Sequence, residues 1–420
     1  MSDTAEHTQS VAKTGETRAS LRILHVIYSL NLKHGGPPEG LRQLIEGWRQ
    51  EGVYVEVASL DDPSEAFLKE LQFKVHSFGP VKNVYGYSPR MLSWLQAHVE
   101  DYDAVVINGI WQYNSIAAWR ACRKRIPYAV FIHGALDPWF KRRYPLKHIK
   151  KILYWYTFQH PVLRDALAVL FTSQTEKEQA LLSFRLNNWN GKVVPYGTNR
   201  PGGDPDAQKE AFFLACPAVR NRRFLLFMAR IHEKKGCDLL IEAFSRISSE
   251  APDLDIVMAG PDQVGWKATL EQQAEALGIK DRIHWPGLLQ KDPKWGAFRV
   301  AEAFILPSHQ ENFGIAVAES LACSKPVLIS NKVNIWQDIV ADRAGLVEDD
   351  TVDGTHALLS RWLKLSESER AEMSHNASTC FSTRYSMTEG AKVLRAMFEQ
   401  EISARGKIRA SANAIHVIAG

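Results

Sequence analysis

Residues 307–320 read PSHQENFGIAVAES and follow a short apolar run, 303–306, that predicts a buried strand. Two acids in this stretch, Glu311 and Glu319, stand eight positions apart, and Gly314 between them indicates a turn from strand to helix. A carboxylate beside apolar segments is costly to bury unless another group pairs with it. The stretch therefore indicates either a site that binds several hydroxyl groups or a capped helix with two solvated acids.

The spacing of this acid pair favours a loop followed by a helix. On one continuous helix the acids would lie roughly 12 Å apart along the axis and about 80° apart around it, so they would not face one ligand. We therefore place Glu311 in the loop and Glu319 in the second turn of the helix. Both then point into the crevice at the carboxyl ends of parallel strands. The amides of Asn312, Phe313 and Gly314 would lie at the helix start, which attracts phosphate.

Short apolar segments alternate with amphipathic ones along most of the 420-residue chain. The predicted strands of a first sheet are 21–28, 53–60, 104–108, 128–132 and 166–172. The predicted strands of a second sheet are 223–229, 255–260, 283–285, 303–306 and 326–330, with helical periodicity at 237–249, 267–277 and 315–323. This alternation is typical of the α/β class with doubly wound parallel sheets. A Gly-, Pro-, Asn- and Asp-rich stretch at 195–206 predicts a linker, and hence two Rossmann-like domains facing a central cleft.

Bulk composition narrows the class of protein. Hydrophobic content of 45% and charged content of 23% are ordinary for a globular chain, and a net charge of +4 is too small to predict nucleic-acid binding. Five scattered cysteines without a C-x-x-C pair predict neither a zinc site nor a disulfide framework, which favours a reducing cytosol. Residues 1–20 and 406–420 are predicted to be loose tails, the first of them not a signal peptide, and no run approaches the roughly 18 apolar residues of a membrane span.

Two cations, Arg230 and Lys235, lie at the carboxyl end of the first strand predicted in the second domain. Arginine can bind a diphosphate through two hydrogen bonds at once, and lysine adds a compact charge. This cation pair therefore predicts a diphosphate site, and the alternative is a solvated basic turn.

The first domain has polar or glycine-rich segments at corresponding strand ends. Gly35 and Gly36 follow its first strand, although the G-x-G-x-x-G fingerprint of dinucleotide sites is absent. This glycine loop would let backbone approach a ligand closely, or it forms a simple turn. His133 follows another strand and would face the cleft from the wall opposite the cation pair, or it serves a structural role.

Three D-x-D triplets, at 101–103, 204–206 and 253–255, raise the question of a metal site. Each lies where ordinary turns and helix caps place aspartate. No metal site is therefore predicted.

Residues 141–156 read KRRYPLKHIKKILYWY and combine basic with aromatic side chains. As a helix, the segment has one apolar face, with three lysines away from it. The apolar face is Leu146, Ile149, Leu153 and Tyr156, and the lysines are Lys147, Lys150 and Lys151. Such helices bind anionic membrane surfaces. The alternative is a helix whose apolar face packs into the core and whose basic face is solvated.

Together these motifs resemble the retaining glycosyltransferases of family 4, which have the GT-B fold. The acid pair, an E-x7-E pattern enclosing Asn312-Phe313-Gly314, is the strongest point of resemblance, and the cation pair followed by Gly236 is the next. The His133-Gly134 dipeptide and the glycine loop agree in position and order. The resemblance covers nearly the whole chain, but residues 330–336 depart from the Gly-rich turn common there in the family.

The resemblance implies a role for each motif. The cation pair would hold the diphosphate of a nucleotide-sugar, Glu319 the ribose hydroxyls, and Glu311 the hydroxyls of the transferred sugar, with the amides of residues 312–314 nearby. His133 would lie beside the donor sugar, and the glycine loop would line the donor phosphates and the acceptor. The domains would be 21–200 on the acceptor side and 201–385 on the nucleotide side. Residues 386–405 would form a helix that returns to the N-terminal domain.

The implied function is transfer of a hexose, such as mannose, from a UDP- or GDP-linked donor. The acceptor would be lipid-linked or a polysaccharide or lipopolysaccharide, and the enzyme would be cytoplasmic, peripheral at the inner face of the membrane. Cations and helix-end amides stabilise the leaving diphosphate, so neither metal nor other cofactor is expected. The alternatives are a sugar-nucleotide epimerase of similar fold and a non-catalytic sugar-nucleotide-binding module.

Overall fold

The computed structural model describes residues 20–138, 141 and 145–418, without the side chains of 145, 147 and 407–418. The first predicted tail, apart from its last residue, lies outside this range. The strands of a first sheet are β1 (Arg22–Ile27), β2 (Tyr54–Ser59), β3 (Lys74–Ser77), β4 (Ala104–Asn108), β5 (Tyr128–Phe131), β6 (Ala168–Phe171) and β7 (Gly191–Val193). The strands of a second sheet are β8 (Arg223–Met228), β9 (Leu254–Ala259), β10 (Ile283–Gly287), β11 (Ala303–Leu306), β12 (Val327–Ser330) and β13 (Gly345–Glu348).

Helices connect the strands of the two sheets. Those before the second sheet are α1 (Gly36–Gln50), α2 (Pro89–His98), α3 (Tyr113–Cys122), α4 (Pro145–Tyr154), α5 (His160–Arg164), α6 (Gln174–Ala180) and α7 (Pro205–Ala215). Those that follow are α8 (Cys237–Ile247), α9 (Lys267–Ala276), α10 (Lys291–Val300), α11 (Ile315–Ala322), α12 (Trp336–Ala341), α13 (Val352–Lys364), α14 (Glu367–Cys380) and α15 (Met387–Ile418).

The strand order places a crevice in each domain. The first sheet runs β3-β2-β1-β4-β5-β6-β7 and the second β10-β9-β8-β11-β12-β13, and every pairing described is parallel. The order therefore reverses between β1 and β4 and again between β8 and β11, and ligands of open α/β sheets bind at such reversals. The glycine loop follows β1, Arg230 follows β8 and Glu311 follows β11. The prediction of two doubly wound sheets is confirmed.

Buried apolar strands were predictable, but short edge strands were not. All side chains of β4 and β11 are buried, and both strands have the predicted bounds. The sequence analysis missed β3, β7 and β13, which have three or four residues each and lie at sheet edges. Their side chains are largely half-buried or exposed, so they lack the continuous apolar run that identifies a central strand.

The last helix returns to the N-terminal domain. Within α15, the carbonyl of Ala391 accepts a hydrogen bond of 2.8 Å from Trp48 Nε1 in α1. A Cβ built on Gly47 would lie 3.2 Å from the Ala391 methyl group, so a side chain there would have to displace α15 slightly. The helix continues to Ile418, so residues 406–418 are helical where the second loose tail was predicted.

Helix α4 exposes the face that could have packed into the core. Leu146 is 78% exposed, Ile149 62% and Leu153 71%. The interpretation of 141–156 as a core-packing helix is therefore wrong. The surface lysines are also not all solvated, since Lys151 Nζ lies 4.6 Å from the centre of the Trp111 ring. The side chain of Lys147 lies outside the described residues.

Candidate functional site

The acid pair occupies a loop and a helix, as the spacing predicts. Glu311 lies in the loop between β11 and α11, and Glu319 lies in the second turn of α11. The loop is fixed by backbone bonds to residues 330–336: Glu311 N donates to Lys332 O at 3.0 Å, and Asn334 N donates to Glu311 O at 3.0 Å. The segment that departs from the Gly-rich family turn therefore holds the backbone of Glu311 in place.

Two glycines with positive φ bring the cation pair next to this loop. Gly236 has φ 66°, and a Cβ there would lie 2.2 Å from the Pro307 carbonyl oxygen, so only glycine fits. Gly314 has φ 75° and begins α11 without a side-chain cap. Val317 N donates to Gly314 O at 2.7 Å, whereas the N–H groups of Ile315 and Ala316 have no acceptor among the described residues.

The cation pair itself is divided between a paired and an unpaired side chain. The Lys235 ammonium forms an ion pair with Glu311, and their side chains are 10% and 21% exposed. Among the described residues, Arg230 makes no ion pair and is exposed. Lys235 and Glu311, which were predicted to hold different parts of one ligand, thus neutralise each other across the space where that ligand would bind.

Lys234 adds a third cation that the sequence analysis did not single out. Burial, together with the neighbouring Lys235 and Arg230, lowers the pKa of Lys234 to about 8. Its backbone carbonyl accepts bonds from Ser308 Oγ at 2.7 Å and from His309 N at 2.8 Å. The basic turn after β8 is therefore tied to the end of β11, and it concentrates positive charge where an anion would relieve the repulsion.

Glu319 is buried and paired with a lysine that no motif indicated. Lys294 Nζ on α10 lies 2.8 Å from Glu319 Oε1 and 3.5 Å from Glu39 Oε1 on α1. Burial alone would lower the pKa of Lys294, but the two carboxylates outweigh it and raise the pKa above its ordinary value. A charged Lys294 therefore sits between the predicted ribose acid and the N-terminal domain. Its neighbours in sequence, Pro293 and Trp295, form no recognisable motif, so only the folded structure reveals it.

On the opposite wall, His133 is held in a neutral form. It follows β5 with φ 48°. Its ring stacks on that of Phe131, with 5.3 Å between the ring centres, and lies edge-on to that of Tyr196, with 5.9 Å between the ring centres. Its Nε2 lies 3.4 Å from Asn108 Oδ1. Burial lowers the pKa of His133 to about 4, so at neutral pH the ring offers a hydrogen bond and no charge. Gly134 N donates to the buried carboxylate of Glu176 at 2.6 Å, which fixes the turn.

The glycine loop offers open backbone but few amide donors. A Cβ built on Gly35 or Gly36 would meet no atom within 4 Å, so the loop borders free space. Helix α1 starts at Gly36, and Pro37 and Pro38 have no N–H. Of the first four residues of the helix, only Gly36 and Glu39 therefore retain a backbone donor. The glycine loop therefore leaves room for a ligand to approach the backbone closely, but it offers few amide donors to a phosphate.

The residues inside the E-x7-E pattern serve the contact between the domains. Asn312 Nδ2 donates to Thr172 Oγ1 of the N-terminal domain at 3.3 Å, while its buried Oδ1 has no partner among the described residues. Phe313 is buried, with its ring against Tyr196 and Tyr385. The side chain of Phe313 is thus buried among these rings, so a ligand would contact Phe313 through its backbone.

The D-x-D triplets have structural partners. Asp103 accepts a bond from Arg22 N at 2.8 Å, Asp204 caps α7, and buried Asp255 is paired with Arg222, Arg282 and His284. Within the described part of the chain, no group of three or more His, Cys, Asp or Glu side chains is placed to hold a metal ion.

Two family models match the chain. Residues 35–197 match the glycosyl transferase 4-like domain, and residues 209–379 match the glycosyl transferases group 1. A D-inositol 3-phosphate glycosyltransferase of Geodermatophilus obscurus is 29% identical over 180 residues, 40% of this chain and 39% of that protein. A mannosylfructose-phosphate synthase of Agrobacterium fabrum is 26% identical over 208 residues, 46% of this chain and 44% of that protein. The chain thus spans less than half the length of these two relatives.

Solved structures resemble nearly the whole chain. A sucrose-phosphate synthase from Thermosynechococcus elongatus has a TM-score of 0.75 at 17% identity, covering 91% of this chain and 100% of that one. Anabaena HepE in complex with UDP and glucose has a TM-score of 0.72 at 18% identity, covering 90% of this chain and 100% of that one. At these identities the likeness shows the fold alone, and the predicted GT-B fold is confirmed.

Proposed function

The chain belongs to the group 1 glycosyltransferases, and we propose that it transfers a hexose from a nucleoside-diphosphate sugar to a glycan or lipid-linked acceptor. The observation that carries this proposal is the basic turn of Arg230, Lys234 and Lys235 facing Glu311 across the strand-order reversal of the second sheet. Cations suit the diphosphate, and a carboxylate suits sugar hydroxyls.

Ligand binding would exchange the partners of Lys235 and Glu311. A diphosphate oxygen replaces the carboxylate at the Lys235 ammonium, and sugar hydroxyls then donate to the freed carboxylate of Glu311. Arg230 and the amides at the start of α11 add donors to the leaving phosphate. These groups are in place before the reaction and stabilise the charge that develops as the sugar–phosphate bond breaks.

Retention and metal independence are parts of the same proposal. The cations of the basic turn are suited to neutralise the leaving diphosphate, a role that a divalent metal plays in other transferases. Attack on the same face as the leaving group would let the departing phosphate take the acceptor proton, so no protein nucleophile is assigned. We expect EDTA to leave the rate unchanged.

The proposed donor is a UDP- or GDP-linked hexose. The HepE structures contain UDP and glucose or UDP-glucose, which makes uracil the first base to test. Glu319 would take the ribose hydroxyls of either nucleotide, since both nucleotides contain ribose. The acceptor would be a lipid-linked or cell-surface glycan, and the WaaG structure of similar fold is a glycosyltransferase of lipopolysaccharide biosynthesis.

The test is release of nucleoside diphosphate from a panel of UDP- and GDP-hexoses, with and without lipid-linked glycan acceptors. We expect slow hydrolysis of one donor alone and faster release, with a new glycosidic product, when an acceptor is added. Interconversion of the sugar without acceptor would instead indicate an epimerase. Binding of nucleotide-sugar without any turnover would indicate a non-catalytic module.

The membrane part of the proposal rests on the exposed apolar face of α4. The loop after α6 adds exposed Leu182 and Leu186 to this region. The ring of Phe184 in that loop lies 4.5 Å from the ring of Trp155 and 4.7 Å from that of His148, measured between ring centres. The loop and α4 are therefore neighbours. No described helix is long and apolar enough to span a membrane. We propose that this surface binds an anionic bilayer at the cytoplasmic face.

Vesicle sedimentation tests the membrane proposal. Replacing Leu146, Ile149 and Leu153 by Ser should abolish binding to vesicles that contain phosphatidylserine, since most of the apolar contact is removed. Neutralising Lys147, Lys150 and Lys151 should weaken that binding and leave the weak binding to neutral vesicles unchanged. Leu214→Ser, at an exposed leucine of the C-terminal domain, is the matched control. Unchanged binding in both variants rejects the proposal.

A further inference from the structure

A largely buried lysine, Lys294, joins the two domains beside the predicted ribose acid. The ammonium of Lys294 contacts Glu319 at 2.8 Å within the C-terminal domain and Glu39 at 3.5 Å in the N-terminal domain. It also lies 4.3 Å from the centre of the Trp295 ring. The proposed donor contacts leave Lys294 and Glu39 without a role, yet both lie at the edge of the donor site.

A second ion pair between the domains is far more exposed than the Lys294 cluster. Lys291 lies three residues earlier on α10, and its Nζ reaches Glu70 of the N-terminal domain at 3.1 Å. Those side chains are 80% and 64% exposed, whereas Lys294 and Glu39 are 15% and 18% exposed. Exposed pairs contribute little, but a buried charge is costly to leave without its partners. The Lys294 cluster is therefore the energetically important one of the two links.

The cluster continues to the linker between the sheets. Glu39 Oε1 accepts a bond from Gln43 Nε2 at 3.0 Å. Gln43 Oε1 in turn accepts a bond from Asn199 N at 3.2 Å, and Asn199 Nδ2 donates to Gln43 O at 3.1 Å. Asn199 belongs to the stretch 195–206 that predicts the linker. A continuous chain of bonds thus runs from Glu319 to the segment about which the domains would move.

Because one ammonium contacts an acid in each domain, a change at one acid affects the contact with the other. Ribose hydroxyls that donate to Glu319 compete with Lys294 for the same carboxylate oxygens. Lys294 then depends more strongly on Glu39, and the contact between the domains is strengthened. By thermodynamic reciprocity, loss of the Glu39 contact must weaken ribose binding at Glu319 by the same factor.

We propose that Lys294 is a positioning residue that couples ribose binding at Glu319 to closure of the two domains through Glu39. The inference rests on the proposed function, because the ribose role of Glu319 is part of it. Lys294 orients Glu319, and ribose binding at Glu319 strengthens the contact of Lys294 with Glu39. Lys294 takes no part in the chemical step.

Calorimetric titration of a double-mutant cycle tests the coupling. The proteins are wild type, Glu39→Gln, Lys294→Met and the double variant, and the probes are UDP, GDP and inorganic pyrophosphate. For the nucleotide that binds, Glu39→Gln should raise Kd about fivefold or more, because Lys294 then stays on Glu319 and competes with the ribose. Lys294→Met should raise Kd by a similar factor, because buried Glu319 beside Glu39 loses the cation that favours its charged form, and the protonated acid accepts ribose hydrogen bonds less well. The double variant should be no worse than Lys294→Met alone, because both changes break one link. Pyrophosphate has no ribose, so its Kd at Arg230 and Lys235 should not change.

Matched controls separate coupling from loss of fold. Lys291→Met and Glu70→Gln break the exposed link and should retain the wild-type Kd. Lys294→Arg keeps the charge and should retain part of the coupling, which covers the case in which Lys294→Met does not fold. Wild-type nucleotide affinity in Glu39→Gln, or an equal loss of pyrophosphate binding, overturns the coupling. Failure of the wild type to bind either nucleotide rejects the proposed function, and the coupling with it.

Discussion

The two walls of the cleft differ in the charge that they present. The C-terminal wall presents Arg230, Lys234 and Lys235 on one turn, with Glu311 as the nearby acid. The N-terminal wall presents the backbone of the glycine loop and a neutral His133. The difference indicates that the C-terminal wall holds the charged part of the ligand and that the N-terminal wall shapes the space opposite it.

The largest effect should follow from removing the paired cation of the C-terminal wall. Lys235→Met deletes a charge from the proposed diphosphate contact and leaves Glu311 without its ion partner. We expect kcat/KM for the donor to fall by about 100-fold or more, as for loss of one preorganised donor to a developing anion. Steady-state release of nucleoside diphosphate measures the effect.

The control for this substitution is Lys209→Met, which removes an exposed lysine paired with Asp206 in the same domain. It should retain wild-type turnover. If Lys235→Met keeps near-normal turnover and its circular dichroism shows an intact fold, the positive charge of the C-terminal wall is not needed for function.

A smaller effect should arise from the neutral histidine of the N-terminal wall. The pKa of His133 is lowered by burial from 6.5 to about 4, so the unfolded chain takes up a proton before the folded one. His133 therefore contributes stability in full above pH 6.5 and loses it progressively as the pH falls toward 4, by about 2 kcal/mol after allowance for partial exposure. Burial and the nearby His133 lower the pKa of buried His25 to about 3, so His25 adds to the same loss of stability as the pH falls.

Urea unfolding between pH 4 and pH 7.5 measures this contribution. His133→Asn should flatten the decline in the free energy of unfolding at low pH, whereas His375→Asn, at an exposed position, should not. An equal slope in wild type and His133→Asn would show that His133 is charged in the folded protein and that the N-terminal wall is not neutral.

The sequence predicted the parts of the site that lie at the ends of central strands. The acid pair and His133 could be located because each follows an apolar run that is fully buried, and the cation pair because it follows one that is buried except at its two ends. Parallel strands bring these carboxyl ends to one edge of each sheet. What the sequence could not reveal is how these residues pair. The bond between Lys235 and Glu311 joins residues from different strand ends, and nothing local indicates it.

Contacts between domains were beyond the reach of local patterns. Lys294 and Glu39 are far apart in the chain, and each looks like an ordinary charged residue near the start of a helix. Periodicity also could not decide which way α4 faces, since an apolar stripe fits a core and a membrane equally well. The exposure of Leu146 and Leu153 in the folded chain excludes packing of this face into the core.

The central claim, that the C-terminal wall holds the nucleotide diphosphate, is tested most directly by thermal unfolding of wild type and Arg230→Ala with increasing UDP or GDP. Arg230 is exposed and unpaired among the described residues, so its removal should leave the protein without ligand equally stable. We predict that Tm of the wild type rises with one of the nucleotides by mass action and that the rise is lost or strongly reduced in Arg230→Ala. Equal rises in the two proteins, or no rise in the wild type, would contradict the account.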